Sequence, residues 1–294
     1  VSTETTAPVK RITANTFIEM KAENKPIAML TAYDYPMAYY LDQAGIDGIL
    51  VGDSVAMVEL GFENTLSATM DIMVHHTQAV RRGVKRALLV ADMPFMSYQS
   101  SVQSAVENAG RLVQEGGADA VKLEGGESFA DQIEAIIEAG IPVMGHLGLT
   151  PQSFHMFGGY GLQAKTVASA KQLIEDALLL QDIGCFSIVL EKIPAELAAL
   201  VSRKLTIPTI GIGAGSSCDG QVLVAHDMLG MFERFKPKFV KQYVQLAGIM
   251  REAFEAYISD VKSRAFPASE HSYSMDPEVL AEVEKAVQEI NATD

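Results

Sequence analysis

Residues able to do chemistry recur just after short apolar runs in this 294-residue sequence. Asp34 follows the run at 27–31, Asp53 and Ser54 follow 48–51, Asp92 follows 87–91, and Glu124 follows 120–123, a run that itself contains Lys122. His146 follows 142–145, Glu191 follows 186–190, a Gly-Ile-Gly-Ala-Gly stretch at 211–215 overlaps the run at 208–212, and Asp227 follows 222–225. Asp53, Asp92 and Glu124 form a hard oxygen-donor set without cysteine. Such a set suits Mg²⁺, which takes a few carboxylates and fills its octahedron with water and substrate.

Each residue has a plainer reading. An Asp or Ser after a strand often caps the next helix, and Asp34 and Asp227 fit that role. Capping does not explain Glu124 ahead of two glycines, or Lys122 inside an apolar run, because buried charge is costly unless paired or bound to a cation. His146 alone fits a hydrogen-bonded pocket residue better than a ligand. The glycine run fits a phosphate cradle or close packing at a rim. His75 and His76 fit a surface or interface better than a metal site. Cys185 and Cys218 have neither metal nor redox spacing and read as structural.

The elements that must position these residues follow from periodicity. The eight runs are short, rich in Val, Ile and Leu, and apolar on both faces, as parallel strands covered by helices should be. Between them, Val102, Ala105, Val106, Ala109, Leu112 and Val113 make one buried helical stripe. Phe129, Ile133, Ile136 and Ile137 repeat the spacing, as do Phe239, Val240, Tyr243, Val244, Ala247 and Met250. Glycines at 116–117, 140 and 184 fit helix C-caps. The alternation predicts an α/β fold, a (β/α)₈ TIM barrel, with a doubly wound open sheet as the alternative; in a barrel all the polar positions meet at one mouth. The expected organisation is a flexible segment at 1–12, a catalytic barrel at 13–272 and an acidic helical tail at 273–294, its helix spanning 275–291.

A net charge of −14 argues against nucleic acid or an anionic membrane as partner. It also requires a locally positive group wherever an anionic substrate binds. No apolar run reaches the ~20 residues of a membrane span. The first twelve residues lack the apolar core of a secretory signal, so the expected location is cytoplasmic.

Longer motifs carry a resemblance. They are Thr31-Ala-Tyr-Asp-Tyr, Val51-Gly-Asp-Ser, Ala91-Asp-Met-Pro-Phe, Val121-Lys-Leu-Glu-Gly-Gly and Gly145-His-Leu-Gly-Leu-Thr-Pro-Gln. Phe157-Gly-Gly-Tyr, Gly211-Ile-Gly-Ala-Gly, Asp219-Gly-Gln-Val-Leu-Val and Pro237-Lys-Phe-Val follow. From about Thr13 to Ser272 the sequence resembles the ketopantoate hydroxymethyltransferase family. It departs from the family pattern after Tyr160, in Gly-Leu-Gln-Ala-Lys-Thr, and in Thr65-Leu-Ser-Ala-Thr, which lacks the usual proline.

The resemblance implies transfer of a one-carbon unit from 5,10-methylenetetrahydrofolate to the 2-oxo acid 3-methyl-2-oxobutanoate, through a metal-stabilised enolate. It implies Mg²⁺ on Asp53 and Asp92, with Glu124 a ligand directly or through water. Lys122 and Ser54 would hold the substrate carboxylate, His146 would hydrogen-bond at the same site, and Glu191 would accept the C3 proton. The enolate carbon would attack the methylene carbon carried by the folate. Independently of the resemblance, the length of the loop expected at 147–167, with Phe154, Phe157 and Gly158-Gly159, predicts a lid; the family's homo-oligomers are commonly decamers. Barrels of the isocitrate lyase and phosphoenolpyruvate mutase type also bind a 2-oxo acid on Mg²⁺. Those lyases place a cysteine near the fifth strand, where this chain has Met144-Gly-His. The mutases place a second acid two residues after the first, where this chain has Asp92-Met-Pro. A catalytically silent scaffold should have lost part of the mouth, yet every candidate residue is present.

Overall fold

A computed structural model describes residues 10–291. The segment at 1–9, within the expected flexible stretch, lies outside the described residues. Eight parallel strands close on themselves in sequence order. They are β1 (Ile27–Thr31), β2 (Gly48–Val51), β3 (Leu88–Asp92), β4 (Ala120–Lys122), β5 (Val143–Gly148), β6 (Ser187–Glu191), β7 (Thr209–Ile212) and β8 (Gly220–Leu223). β8 pairs with β1 through Ile27 opposite Gly220 and Met29 opposite Val222, which settles closure in favour of the barrel.

Alternation along the strands separates two cores, because successive side chains leave a strand on opposite faces. Met29, Leu50, Leu88, Val90, Ala120, Met144, Val189, Ile210 and Val222 fill the barrel interior together with Phe17 and Phe186. Phe17 comes from the helix Ala14–Ala22, which Thr13 caps. Its ring is fully buried and meets Phe186 edge-on, 6.1 Å between centroids. The outward side chains Ile49, Val51, Leu89, Ala91, Val121 and Ile188 pack against Ala105, Ala109, Leu112, Ile133 and Ile136 of the surrounding helices. Those helical residues are members of the stripes legible in the sequence. On the outer face of β1 and β8, by contrast, Ala28 and Gln221 are exposed.

Three expectations shift. β5 runs on to Gly148, so His146 sits within the strand. β8 ends at Leu223, and Asp227 falls inside the short helix Ala225–Met228, where it caps nothing; Asp34 does cap the helix Tyr35–Gln43, accepting from Met37 N at 2.7 Å. The stripe beginning at Phe239 is helical only from Leu246. Tertiary contacts hold the preceding residues out of the helix: Tyr243 N donates to Met228 O at 2.8 Å and Val240 is buried. The glycine run is explained by packing. Gly213 has φ +65°, and a Cβ there would lie 2.7 Å from the Phe239 ring.

The chain divides into two compact units, Val1–Val244 and Gln245–Asp294. The second contains the helices Leu246–Ser263 and Pro277–Asn291. Among the described residues no helix is long and apolar enough to cross a membrane.

Candidate active site

The C-terminal ends of β2 to β6 bring the sequence candidates into one mouth. Asp53, Ser54, Asp92, Lys122, Glu124, His146 and Glu191 all line the same cavity. Asp92 and Glu191 are the last residues of β3 and β6, Lys122 the last of β4, and Asp53 and Glu124 lie just beyond their strands. Every one of them except Ser54 and Glu191 is buried.

Their contacts form a connected set. Asp53 N donates to Asp92 Oδ2 at 3.0 Å, and Lys122 Nζ lies 3.1 Å from Asp92 Oδ1. Asp92 Oδ1 is thus buried against the Lys122 ammonium as an ion pair and makes no hydrogen bond. Lys122 Nζ also lies 3.1 Å from His146 Nδ1. On the other side of the ring, His146 Nε2 is 3.2 Å from Glu191 Oε2, within ion-pair range but out of line for a hydrogen bond. The Ser54 hydroxyl meets Tyr33 at 2.8 Å.

Burial and crowding set the protonation. Burial raises the Asp53 acid well above the ordinary range, and Asp92 and Glu124 add repulsion. Asp92 is raised by burial, though Lys122 opposes it, and burial lifts Glu124 to about 7. Burial alone would lower the Lys122 pKa, but the surrounding carboxylates outweigh it and the net shift is upward. His146 is lowered, first by burial and then by Lys122, so its ring is neutral. An ammonium at Nδ1 makes that nitrogen the acceptor and leaves the proton on Nε2, facing Glu191.

One lysine among three buried carboxylates leaves a deficit of positive charge. Added to Asp92 Oδ1, which makes no hydrogen bond, and to the all-oxygen donor set, this fits a hard divalent cation. Among the described residues no three His, Cys, Asp or Glu side chains already converge as a metal cluster.

Sequence reasoning missed the residue that ties the acids together. Gln152 is buried; its Nε2 donates to Asp53 Oδ2 at 3.0 Å and to Met93 O at 2.9 Å, while its backbone N donates to Glu124 Oε2 at 2.9 Å. Its Oε1 accepts from Gln99 Nε2 at 2.9 Å and lies 3.0 Å from the Tyr98 hydroxyl. The available signal was a glutamine in Thr150-Pro-Gln just past β5, an amide able to donate and accept at once. Tyr160 was also missed. Its hydroxyl is buried without a partner on the cavity wall, and its acid is raised by burial and by the charges of Asp53 and Glu191. The segment carrying it is tied to β6: Leu149 N donates to Glu191 O at 2.8 Å, Gln163 N to Lys192 O at 2.9 Å, and Lys192 Nζ to Tyr160 O. The paired histidines are not drawn into the mouth; His76 Nδ1 donates to Tyr33 O at 2.7 Å.

A closed parallel barrel with ionisable residues from successive strands at its C-terminal mouth is the hallmark of a (β/α)₈-barrel enzyme. Residues 11–269 match the family model described as ketopantoate hydroxymethyltransferase, and the chain belongs to that family of enzymes. A 3-methyl-2-oxobutanoate hydroxymethyltransferase of Acetivibrio thermocellus is 55% identical, covering 94% of this chain and 97% of the relative. One of Clostridium kluyveri is 57% identical over 90% of this chain and 95% of its own length. Among solved structures, a phosphonopyruvate hydrolase complexed with oxalate and Mg²⁺ aligns at TM-score 0.61 and 13% identity, covering 96% of this chain and 99% of that one. A 2,3-dimethylmalate lyase of the phosphoenolpyruvate mutase and isocitrate lyase superfamily aligns at TM-score 0.56 and 16% identity, covering 96% and 99%. These two share the fold.

Proposed function

We propose that this enzyme joins the methylene carbon of 5,10-methylenetetrahydrofolate to C3 of 3-methyl-2-oxobutanoate, giving 2-dehydropantoate and tetrahydrofolate. One water is consumed, because neither substrate brings the oxygen that becomes the new hydroxyl group. The methylene carbon is thus transferred at the oxidation level of formaldehyde: its bonds to nitrogen break, one bond to C3 and one to water oxygen form, and the C3 proton leaves. The observation that carries this reading is the line of contacts Asp92–Lys122–His146–Glu191 across a buried, acid-rich mouth.

Asp53 and Asp92, with Glu124 directly or through water, would hold Mg²⁺. When bound, Mg²⁺ supplies Lewis acidity at the substrate ketone and so lowers the cost of the enolate. Lys122 supplies the positive charge that an anionic substrate needs in this acidic protein, and the Ser54 hydroxyl, oriented by Tyr33, offers a hydrogen bond to the carboxylate. Glu191 takes the C3 proton; it is the least enclosed acid of the line, with the edge of the His146 ring 3.2 Å from its carboxylate. The segment at 147–167 closes over the mouth, anchored on Glu191 and Lys192, and limits which water enters. The unpaired cysteines support a reducing compartment, the cytoplasm. Exposed Ile249, Phe254, Tyr257 and Ile258 on one helix, and Val279, Val283 and Val287 on another, support a homo-oligomer.

The test mixes protein, both substrates and Mg²⁺ in H₂¹⁸O and follows 2-dehydropantoate by mass spectrometry. Labelled product is expected, abolished by EDTA and reduced roughly 10²–10⁴-fold in Glu191→Gln, the usual range for loss of a general base. No product from folded protein rejects the reading.

A further inference from the structure

The mouth has two unlike sides. The floor described above is charged, whereas the wall beside β8 is made of Phe232, Phe235 and Phe239 with Val224. Asp227 lines the cavity half-buried; among the described residues its carboxylate has no side-chain hydrogen bond and no Lys or Arg partner, and the adjacent His226 pairs with Glu59 instead, at 2.9 Å. Burial raises its acid to about 6, with His226 opposing, so it is ionised at neutral pH. Phe235 is 59% exposed, a large ring at a cavity rim with nothing stacked on it among the described residues.

A carboxylate without a protein partner, in a cavity that phenyl rings also line, selects its ligand narrowly. The 2-oxo acid is an anion and is repelled. A planar, neutral heterocycle presenting two parallel N–H groups satisfies both the rings and the carboxylate, since the paired donors match its two oxygens. The pyrimidine edge of a reduced pterin, with its N3–H and 2-amino group, has that arrangement.

We propose that Asp227, Phe232, Phe235 and Phe239 form the pterin subsite, with the Asp227 carboxylate accepting the paired N–H groups of the pyrimidine ring. The assignment rests on the reading that a folate is the one-carbon donor. It places the folate against β8 and leaves the charged floor to the 2-oxo acid.

Two readouts separate this proposal from the reaction itself. Equilibrium binding of tetrahydrofolate to the Mg²⁺-loaded protein reports the subsite. Exchange of the C3 hydrogen of 3-methyl-2-oxobutanoate in D₂O, without folate, reports the floor. Asp227→Asn should raise the tetrahydrofolate Kd and the KM for 5,10-methylenetetrahydrofolate by about tenfold or more, as loss of a charge-assisted pair does. C3 exchange and the KM for the 2-oxo acid should stay within about twofold of wild type. Phe235→Ala should shift the folate constants in the same direction with exchange intact. An unchanged tetrahydrofolate Kd in Asp227→Asn overturns the subsite. So does a parallel loss of exchange, which would place Asp227 with the 2-oxo acid or its cation. Failure of wild type to bind tetrahydrofolate overturns it as well; failure to form product while binding tetrahydrofolate tightly counts against the reaction alone.

Discussion

Replacing Gln152 by leucine keeps the volume near Tyr98 but removes donors to Asp53 and Met93. Leaving such buried groups unpaired costs about 1–3 kcal/mol each. Gln152→Leu is expected to melt several degrees lower and to weaken Mg²⁺ binding, as isothermal titration would show. Unchanged affinity would mean that the amide does not orient the carboxylates. At the same scale, Glu124 predicts a pH dependence. Its folded acid lies at about 7 against an ordinary 4.5, so its contribution to stability is fully present below about 4.5 and is lost as pH rises through about 7. Asp53 and Asp92 shift in the same direction. In EDTA the melting temperature should fall between pH 5.5 and 8, and added Mg²⁺ should raise it more at pH 8. A flat profile in EDTA would sink this account.

At the scale of elements, the end of β5 and the end of β6 are locked at Gly148. Its φ is +94°, and a Cβ there would stand 2.2 Å from the carbonyl oxygen of Glu191. Gly148→Ala must therefore displace the strand end that carries the proposed base. We expect turnover to drop by at least about tenfold, with a smaller change in the KM for the 2-oxo acid, a split that steady-state kinetics reads directly. The strands, their order and the mouth were legible in the sequence because doubly covered parallel strands have a signature of their own. Two of the fold's joints were not. The segment from Phe239 has helical spacing, but contact with Met228 and Gly213 overrides it. Asp227 reads as a cap by position, and only the turn of Ala225–Met228 sets it on the cavity wall. Gln152 and Tyr160 stayed hidden for another reason: their importance lies in partners distant in sequence, which local spacing does not encode.

For the molecule as a whole, the helix Ala14–Ala22 matters more than its length suggests. Phe17 packs as a stopper into the apolar core that fills the barrel beneath the mouth, and a barrel packed in this way is entered from its mouth. Traffic through one doorway has to queue. If the 2-oxo acid occupies the charged floor, it must arrive before the larger folate stands in the entrance, and its hydroxymethylated product must leave last. An isotope-trapping experiment reads the queue: labelled 3-methyl-2-oxobutanoate, bound first and chased with unlabelled acid plus 5,10-methylenetetrahydrofolate, should appear in the product. Labelled folate bound alone and chased in the same way should not. Equal trapping of both would mean that a second way in exists, and the stopper at Phe17 would be the place to look for it.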